Sequence, residues 1–165
     1  MLRDRNLIPL SHQHQHALAL CVRIGKAFER EGETADVRPW ETEIVRLFDE
    51  EMAFHFKAEE QFLFKAAEKF EQLWQLLDEL RIEHTLLRRA VENARGRGFR
   101  VTDLQVFTAS LTEHVRKEER ELFESLQRLM SASELEELGR VMEDYFQSSG
   151  MPGASCALRP EQREK

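Results

Sequence analysis

The sequence is poor in turn formers. Gly and Pro number 7 and 4 among 165 residues, with a single Tyr, which argues against an all-β fold and its many tight turns. Two cysteines, Cys21 and Cys156, are too few for a disulfide framework and fit a reducing cytoplasm. No stretch approaches the ~18 continuous apolar residues of a membrane span, and the charged start Leu2-Arg3-Asp4-Arg5-Asn6 carries no apolar leader. Basic excess is missing too: a net charge of −7 and a pI near 5.5 argue against a broad nucleic-acid footprint. The expectation is a soluble, cytoplasmic protein with neither membrane nor nucleic acid as partner.

What the sequence does contain is helix formers, with apolar residues at three-to-four spacing. The length suits one domain with a sizeable core. Ser11 is a candidate N-cap for a first helix whose stripe is Leu10, His14, Ala17, Leu18, Cys21, Ile24 and Phe28, ending at Gly32. Pro39 suits the first turn of a second helix with Ile44, Leu47, Phe48, Met52, His55, Glu59, Phe62 and Leu63 on its inner face. A turn is placed near Ala67 to Glu71, because one helix of about 60 residues is improbable in a single domain. A third helix carries Leu73, Leu76, Leu77, Leu80, His84, Leu87 and Val91 and ends at Gly96 and Gly98. Thr102 is a candidate cap for the fourth, with Leu104, Phe107, Leu111, His114, Glu118, Leu122, Leu126 and Leu129 inside. Ser133 with Glu136 reads as a capping box for a short fifth helix through about Phe146. The spacing predicts an all-α, up-down-up-down four-helix bundle over residues 1–147 with a flexible tail over 148–165.

Two segments repeat. His55-Phe-Lys-Ala-Glu-Glu-Gln-Phe-Leu-Phe64 and His114-Val-Arg-Lys-Glu-Glu-Arg-Glu-Leu-Phe123 agree at His, both Glu, Leu and Phe, with Lys57 matched by Arg116. A packing repeat would preserve the apolar positions alone. Here a His and a Glu four apart, on one helix face, are preserved as well. Each motif has an antecedent His: His14 and His55 lie about 17 residues either side of the first loop, and His84 and His114 about 13 and 12 either side of the third. At a 1.5 Å rise per residue the members of each pair stand at similar heights.

Four imidazoles and two carboxylates can therefore meet in the core. Buried without partners the carboxylates would cost several kcal/mol each, so they must be neutralised, paired with cations or bound to metal. The bland alternative is satisfied core histidines with Glu59 and Glu118 as solvated helix-face charges. Imidazole and carboxylate suit iron, zinc, manganese or nickel, and six groups are too many for one tetrahedral zinc. In a symmetric dinuclear assignment, His14 and His55 bind one metal, His84 and His114 the other, and Glu59 and Glu118 bridge them.

These residues resemble the hemerythrin-like family of HHE cation-binding domains, with His on the first and third helices and His-x-x-x-Glu on the second and fourth. The resemblance spans roughly residues 8 to 130 and includes Pro9-Leu10-Ser11 before His14, Glu83-His84, and the Glu-Glu doublets. It implies two non-haem iron ions, oxo- or hydroxo-bridged, that bind or sense dioxygen or a related diatomic or peroxide ligand. The alternatives it leaves are an enzyme acting on peroxide or nitric oxide, and an iron-responsive or structural metal domain.

One departure stands out. The family's oxygen carriers have a fifth His one turn after the third-helix ligand, and Arg88 takes that place here. Two six-coordinate metals offer about twelve positions, of which these ligands and a solvent bridge fill about ten, favouring ligand exchange over simple carriage. Glu51, four residues before His55, is an additional candidate ligand, and His16 is the fallback for His14; His12 is expected to be solvated. Cys21 is either a redox accessory or a small core residue. Phe48, Phe62 and Phe107 are expected either to wall the metal pocket or to pack as ordinary core.

Overall fold

The computed structural model describes residues 2–149 and, among them, contains helices and no strand. Helix α1 is Ile8–Glu31. Helix α2 covers residues 38–67 and α4 covers residues 101–129, each continuous but widened into π turns, two in α2 and one in α4. Between them lies α3, Trp74–Arg97, and last comes α5, Ala132–Ser148. α1 and α3 each lie against both α2 and α4, so the four long helices form a closed helical bundle. α5 packs across α2 at one end. No helix among the described residues is long and apolar enough to cross a membrane.

The turns fall close to the sequence expectation, but the helix starts do not. α1 begins after Leu7, with Pro9 in its first turn; proline lacks the N–H that a first turn leaves unbonded anyway, and Ser11 lies inside the helix. α4 is capped at Arg100, whose N–H donates to Asp103 Oδ2 at 3.1 Å, rather than at Thr102. The capping box of α5 is Ser131 with Glu134, not Ser133 with Glu136: the Glu134 N–H donates to Ser131 Oγ at 3.3 Å, and the Ser131 N–H to Glu134 Oε2 at 2.8 Å. α1 and α3 end at Gly32 and Gly98, whose φ of 59° and 78° would strain an L side chain. Ser148, expected to begin a tail, is still helical, and Ser149 is the C-cap of α5; residues 150–165 of that expected tail lie outside the described residues.

The core is in two parts. One cluster joins Leu10 of α1, Leu63 and Phe64 of α2, Leu77 and Leu80 of α3, Leu122, Phe123 and Leu126 of α4, and the inner face of α5. The other joins Ala17 and Ile24 of α1, Met52 and Phe56 of α2, Leu87 and Val91 of α3, and Leu111 and Val115 of α4. Along every long helix the residues between these clusters are the polar ones singled out by the repeat. The two apolar masses thus hold a layer of ionisable groups between them.

Candidate metal centre

His14, His55, Glu59, His84, His114 and Glu118 are at most 1 % exposed, and they are the buried polar or charged residues of the described chain. They form two overlapping groups: His14, His55, Glu59 and Glu118; and His84, His114, Glu59 and Glu118. The ligand atoms within each group lie within 4.8 Å of one another, and both carboxylates belong to both groups. His55 and Glu59, like His114 and Glu118, are one helical turn apart, at 3.2 and 3.3 Å. Glu118 reaches across to His14 at 3.2 Å, and Glu59 to His84 at 3.4 Å.

Each imidazole is oriented from outside by its other nitrogen. Nδ1 of His14 meets Glu119 at 2.8 Å, that of His55 meets Gln13 Oε1 at 2.6 Å, that of His84 meets Glu60 at 2.8 Å, and that of His114 meets Glu83 at 2.9 Å. These partners accept hydrogen bonds, so every Nδ1 carries a proton and every Nε2 is the ring atom turned inward. The sequence reading gave none of these four residues a role. A signal was present: Glu60 and Glu119 are the second members of the repeated doublets, and Gln13 and Glu83 each precede a lone His.

Backbone geometry serves this arrangement. A π turn begins at the inward carboxylate of each motif, Glu59–Leu63 in α2 and Glu118–Leu122 in α4. In an α-helix consecutive side chains diverge, whereas a wider turn brings neighbours closer in angle, so Glu59 points inward while Glu60 reaches His84. π turns of this kind concentrate at functional sites. A further π turn, Phe48–Met52, precedes the motif in α2 alone.

The inward nitrogens meet in pairs. His14 and His55 approach Nε2 to Nε2 at 2.9 Å, and His84 and His114 at 3.1 Å. Two lone pairs at that separation repel unless a proton or another cation stands between them. All four oxygens of Glu59 and Glu118 are buried without a hydrogen-bond partner of good geometry, and such groups are rare in native proteins without a bound ion. In the metal-free protein protons fill the need. Burial alone would lower the His14 imidazole, but Glu118 and Glu119 raise it to about 10; against the same burial, Glu118, Glu59 and Glu60 raise His84 to about 10. Burial and the Glu118 charge push Glu59 up, yet His55 and His84 hold it below the usual carboxylate range. Glu118 is held well below that range by His114, His14 and His84 in spite of burial. Six donors, all of imidazole or carboxylate type and braced from outside, fit metal binding.

Aromatic rings enclose the cluster, but not those expected. Phe56 stacks on His84 with centroids 3.9 Å apart, Phe64 flanks it at 5.4 Å, and Phe123 stacks on His14 at 5.5 Å. Phe48 and Phe107 line an apolar cavity beyond Phe56, together with Leu20, Cys21 and Met52. Phe62 faces Tyr145 of α5. Burial pushes the Cys21 thiol up, which makes it an unreactive core residue rather than a redox accessory.

Nor does the structure bring Glu51 or His16 into the cluster. They pair with each other at 3.1 Å, with His16 exposed on the surface, because position 16 is two residues out of phase with the inward stripe of α1. Arg88 does not enter the centre either: it donates to Glu60 Oε1 at 2.7 Å and lies over the Phe56 ring.

Among curated proteins and among solved structures none matches the chain significantly. The family model described as "Hemerythrin HHE cation binding domain" matches residues 9–126, and the chain belongs to that family.

Proposed function

We propose that this protein holds a pair of non-haem iron ions in an up-down-up-down bundle over residues 1–147 and uses them to bind or sense dioxygen or a related small ligand. The observation that carries the reading is the sharing of Glu59 and Glu118 between two imidazole pairs. His14 and His55 would hold one ion, His84 and His114 the other, and the two carboxylates would bridge. When bound, a ferrous pair supplies two electrons and exchangeable coordination positions. The chain's part is to aim each Nε2 inward through the outer partners of Nδ1, so that a metal ion can take the place of the protons held there, to share negative charge between the halves through Glu59 and Glu118, and to exclude bulk water with Phe56, Phe64 and Phe123. The apolar cavity beside Phe56 suits a small uncharged ligand better than an ionic one.

Metal analysis and an absorption spectrum of anaerobically purified protein test the cofactor, with about two irons per chain expected. Mixing the reduced, loaded protein with air should then produce a visible band that disappears under vacuum. Immediate irreversible oxidation with no such band would sink the dioxygen reading.

One observation favours a second reading. Arg88 is turned outward to Glu60, and the two groups contain four imidazoles with no fifth, which leaves more than one coordination position free for exchange. An enzyme acting on peroxide or nitric oxide would use that freedom. Absence of oxygen release from peroxide, together with no consumption of nitric oxide under reducing conditions, would eliminate it.

A further inference from the structure

The two halves of the centre correspond residue by residue, Gln13 to Glu83, His14 to His84, His55 to His114, Glu59 to Glu118 and Glu60 to Glu119. Three of the four imidazoles present Nδ1–H to a carboxylate: His14 to Glu119, His84 to Glu60 and His114 to Glu83. Each of those carboxylates is braced by a cation, Arg3, Arg88 and Lys117 respectively. His55 breaks the pattern. Its Nδ1–H goes to the neutral amide oxygen of Gln13 at 2.6 Å.

From this break we infer that the two metal positions are inequivalent: the one held by His84 and His114 fills first and more tightly, and Gln13 makes the one held by His14 and His55 the weaker, exchangeable position. The inference rests on the two-metal reading above. A carboxylate accepts the Nδ1 proton more strongly than an amide does, which raises the donor strength of Nε2 on the other side of the ring. It also contributes a full negative charge one imidazole away from the cation, where an amide contributes only a dipole. The tighter half has two such carboxylates, Glu60 and Glu83, and the weaker half has one, Glu119. Enclosure acts in the same direction, since the His84 ring is sandwiched between Phe56 and Phe64, while Val115 occupies the position in the α4 motif that Phe56 holds in α2.

Anaerobic calorimetric titration of the metal-free, full-length chain with ferrous iron tests the inference. The wild type should bind in two steps separated by about 10-fold or more, the usual weight of an outer partner to a ligating imidazole. Gln13→Glu should tighten the second step until the two merge. Glu83→Gln should loosen the first, since it removes both the carboxylate acceptor of the His114 Nδ1–H and its negative charge; Lys117 retains Glu79 at 3.1 Å as a partner in that variant. A gain of affinity in Gln13→Glu is the decisive readout, because a merely structural Gln13 could be replaced without improvement. Two equal steps in the wild type, or a second step unmoved by Gln13→Glu, would overturn the inference and leave the metal pair standing. Saturation at one equivalent in both proteins would overturn the two-metal reading along with it.

Discussion

The His14/His55 half and the His84/His114 half hold the same inward groups, two imidazoles and a share in both carboxylates, yet they are fixed in the bundle by different neighbours. Glu60, from α2, holds a histidine of α3, and Glu119, from α4, holds a histidine of α1. The inward set is constrained by burial: two carboxylates in a dry layer need cations beside them, and the inward imidazole nitrogens need a proton or a metal ion between them. The outer set faces partial solvent, where an amide can stand in for a carboxylate at modest cost. Identical chemistry at the centre is therefore compatible with unequal tuning from outside.

The most severe way to break the comparison is to remove a group that both halves use. Glu118→Gln should lower affinity at both positions by more than about 100-fold, beyond the range of an outer partner, and elemental analysis after reconstitution should find neither ion retained. His55→Ala and His114→Ala each touch one half and should retain about one ion per chain. Loss of both ions from His55→Ala would mean that the halves do not fold or load separately.

Next in size is the pH dependence of the metal-free protein. His14 and His84, one imidazole from each half, are raised from the ordinary 6.5 to about 10. The stability they contribute is complete below 6.5 and is lost as the pH climbs through about 10. Glu59 and Glu118, held below the ordinary 4.5, contribute stability above that value that disappears as the pH falls. The unfolding free energy of the metal-free chain, measured with urea, should accordingly be highest between about pH 4.5 and 6.5 and should fall on the alkaline side by an amount on the order of a few kcal/mol. Metal must displace these protons, so loading at pH 7.5 should release about one proton per position, measurable in weakly buffered solution. A flat stability profile from pH 6 to 9 would show that the imidazoles are not protonated pairwise with the carboxylates.

A finer test asks whether the corresponding outer partners are equivalent. Glu60→Gln and Glu119→Gln should each reduce affinity about 10-fold, the first at the position of His84 and the second at that of His14. An effect of either substitution on the opposite position would show that the doublets act through the shared carboxylates rather than through their own histidines.

How much of this was legible in the sequence follows from what a periodicity can encode. The inward six were visible because three-to-four spacing fixes which face a residue shares, and a His and a Glu one turn apart recurred in the same phase as leucines. Glu60 and Glu119 were visible as a repeat but not as partners, because whether the neighbour of an inward residue reaches the next helix depends on the local winding. That winding is a π turn, a property of the backbone with no side-chain signature. The same reason defeated Glu51, which would share the phase of His55 in a regular α-helix but lies within the π turn Phe48–Met52 and faces His16 instead. The misplaced start of α5 has a simpler cause: Ser131 and Ser133 both stand three residues before a Glu, and spacing alone cannot choose between two capping boxes that overlap.

The smallest expected effects lie one shell further out, at the cations that brace the outer carboxylates. Arg88 holds Glu60 at 2.7 Å and keeps that carboxyl low, at about 2, together with His84 and against the effect of burial. Lys117 does the same for Glu83, which lies below the usual range. Both pairs are partly exposed, and ion pairs in such positions are worth about 0.2–1 kcal/mol. Arg88→Met and Lys117→Met should therefore weaken iron binding at the His84/His114 position by about 5-fold at most, should leave the other position unchanged, and should lose part of their effect in high salt. The two substitutions should act alike, because each loosens one of the two carboxylates on which the tighter position depends. A larger loss from Arg88→Met alone would mean that its stacking over Phe56 matters more than its charge, and Arg88→Lys, which keeps the charge but presents no planar face, would then fail to restore affinity.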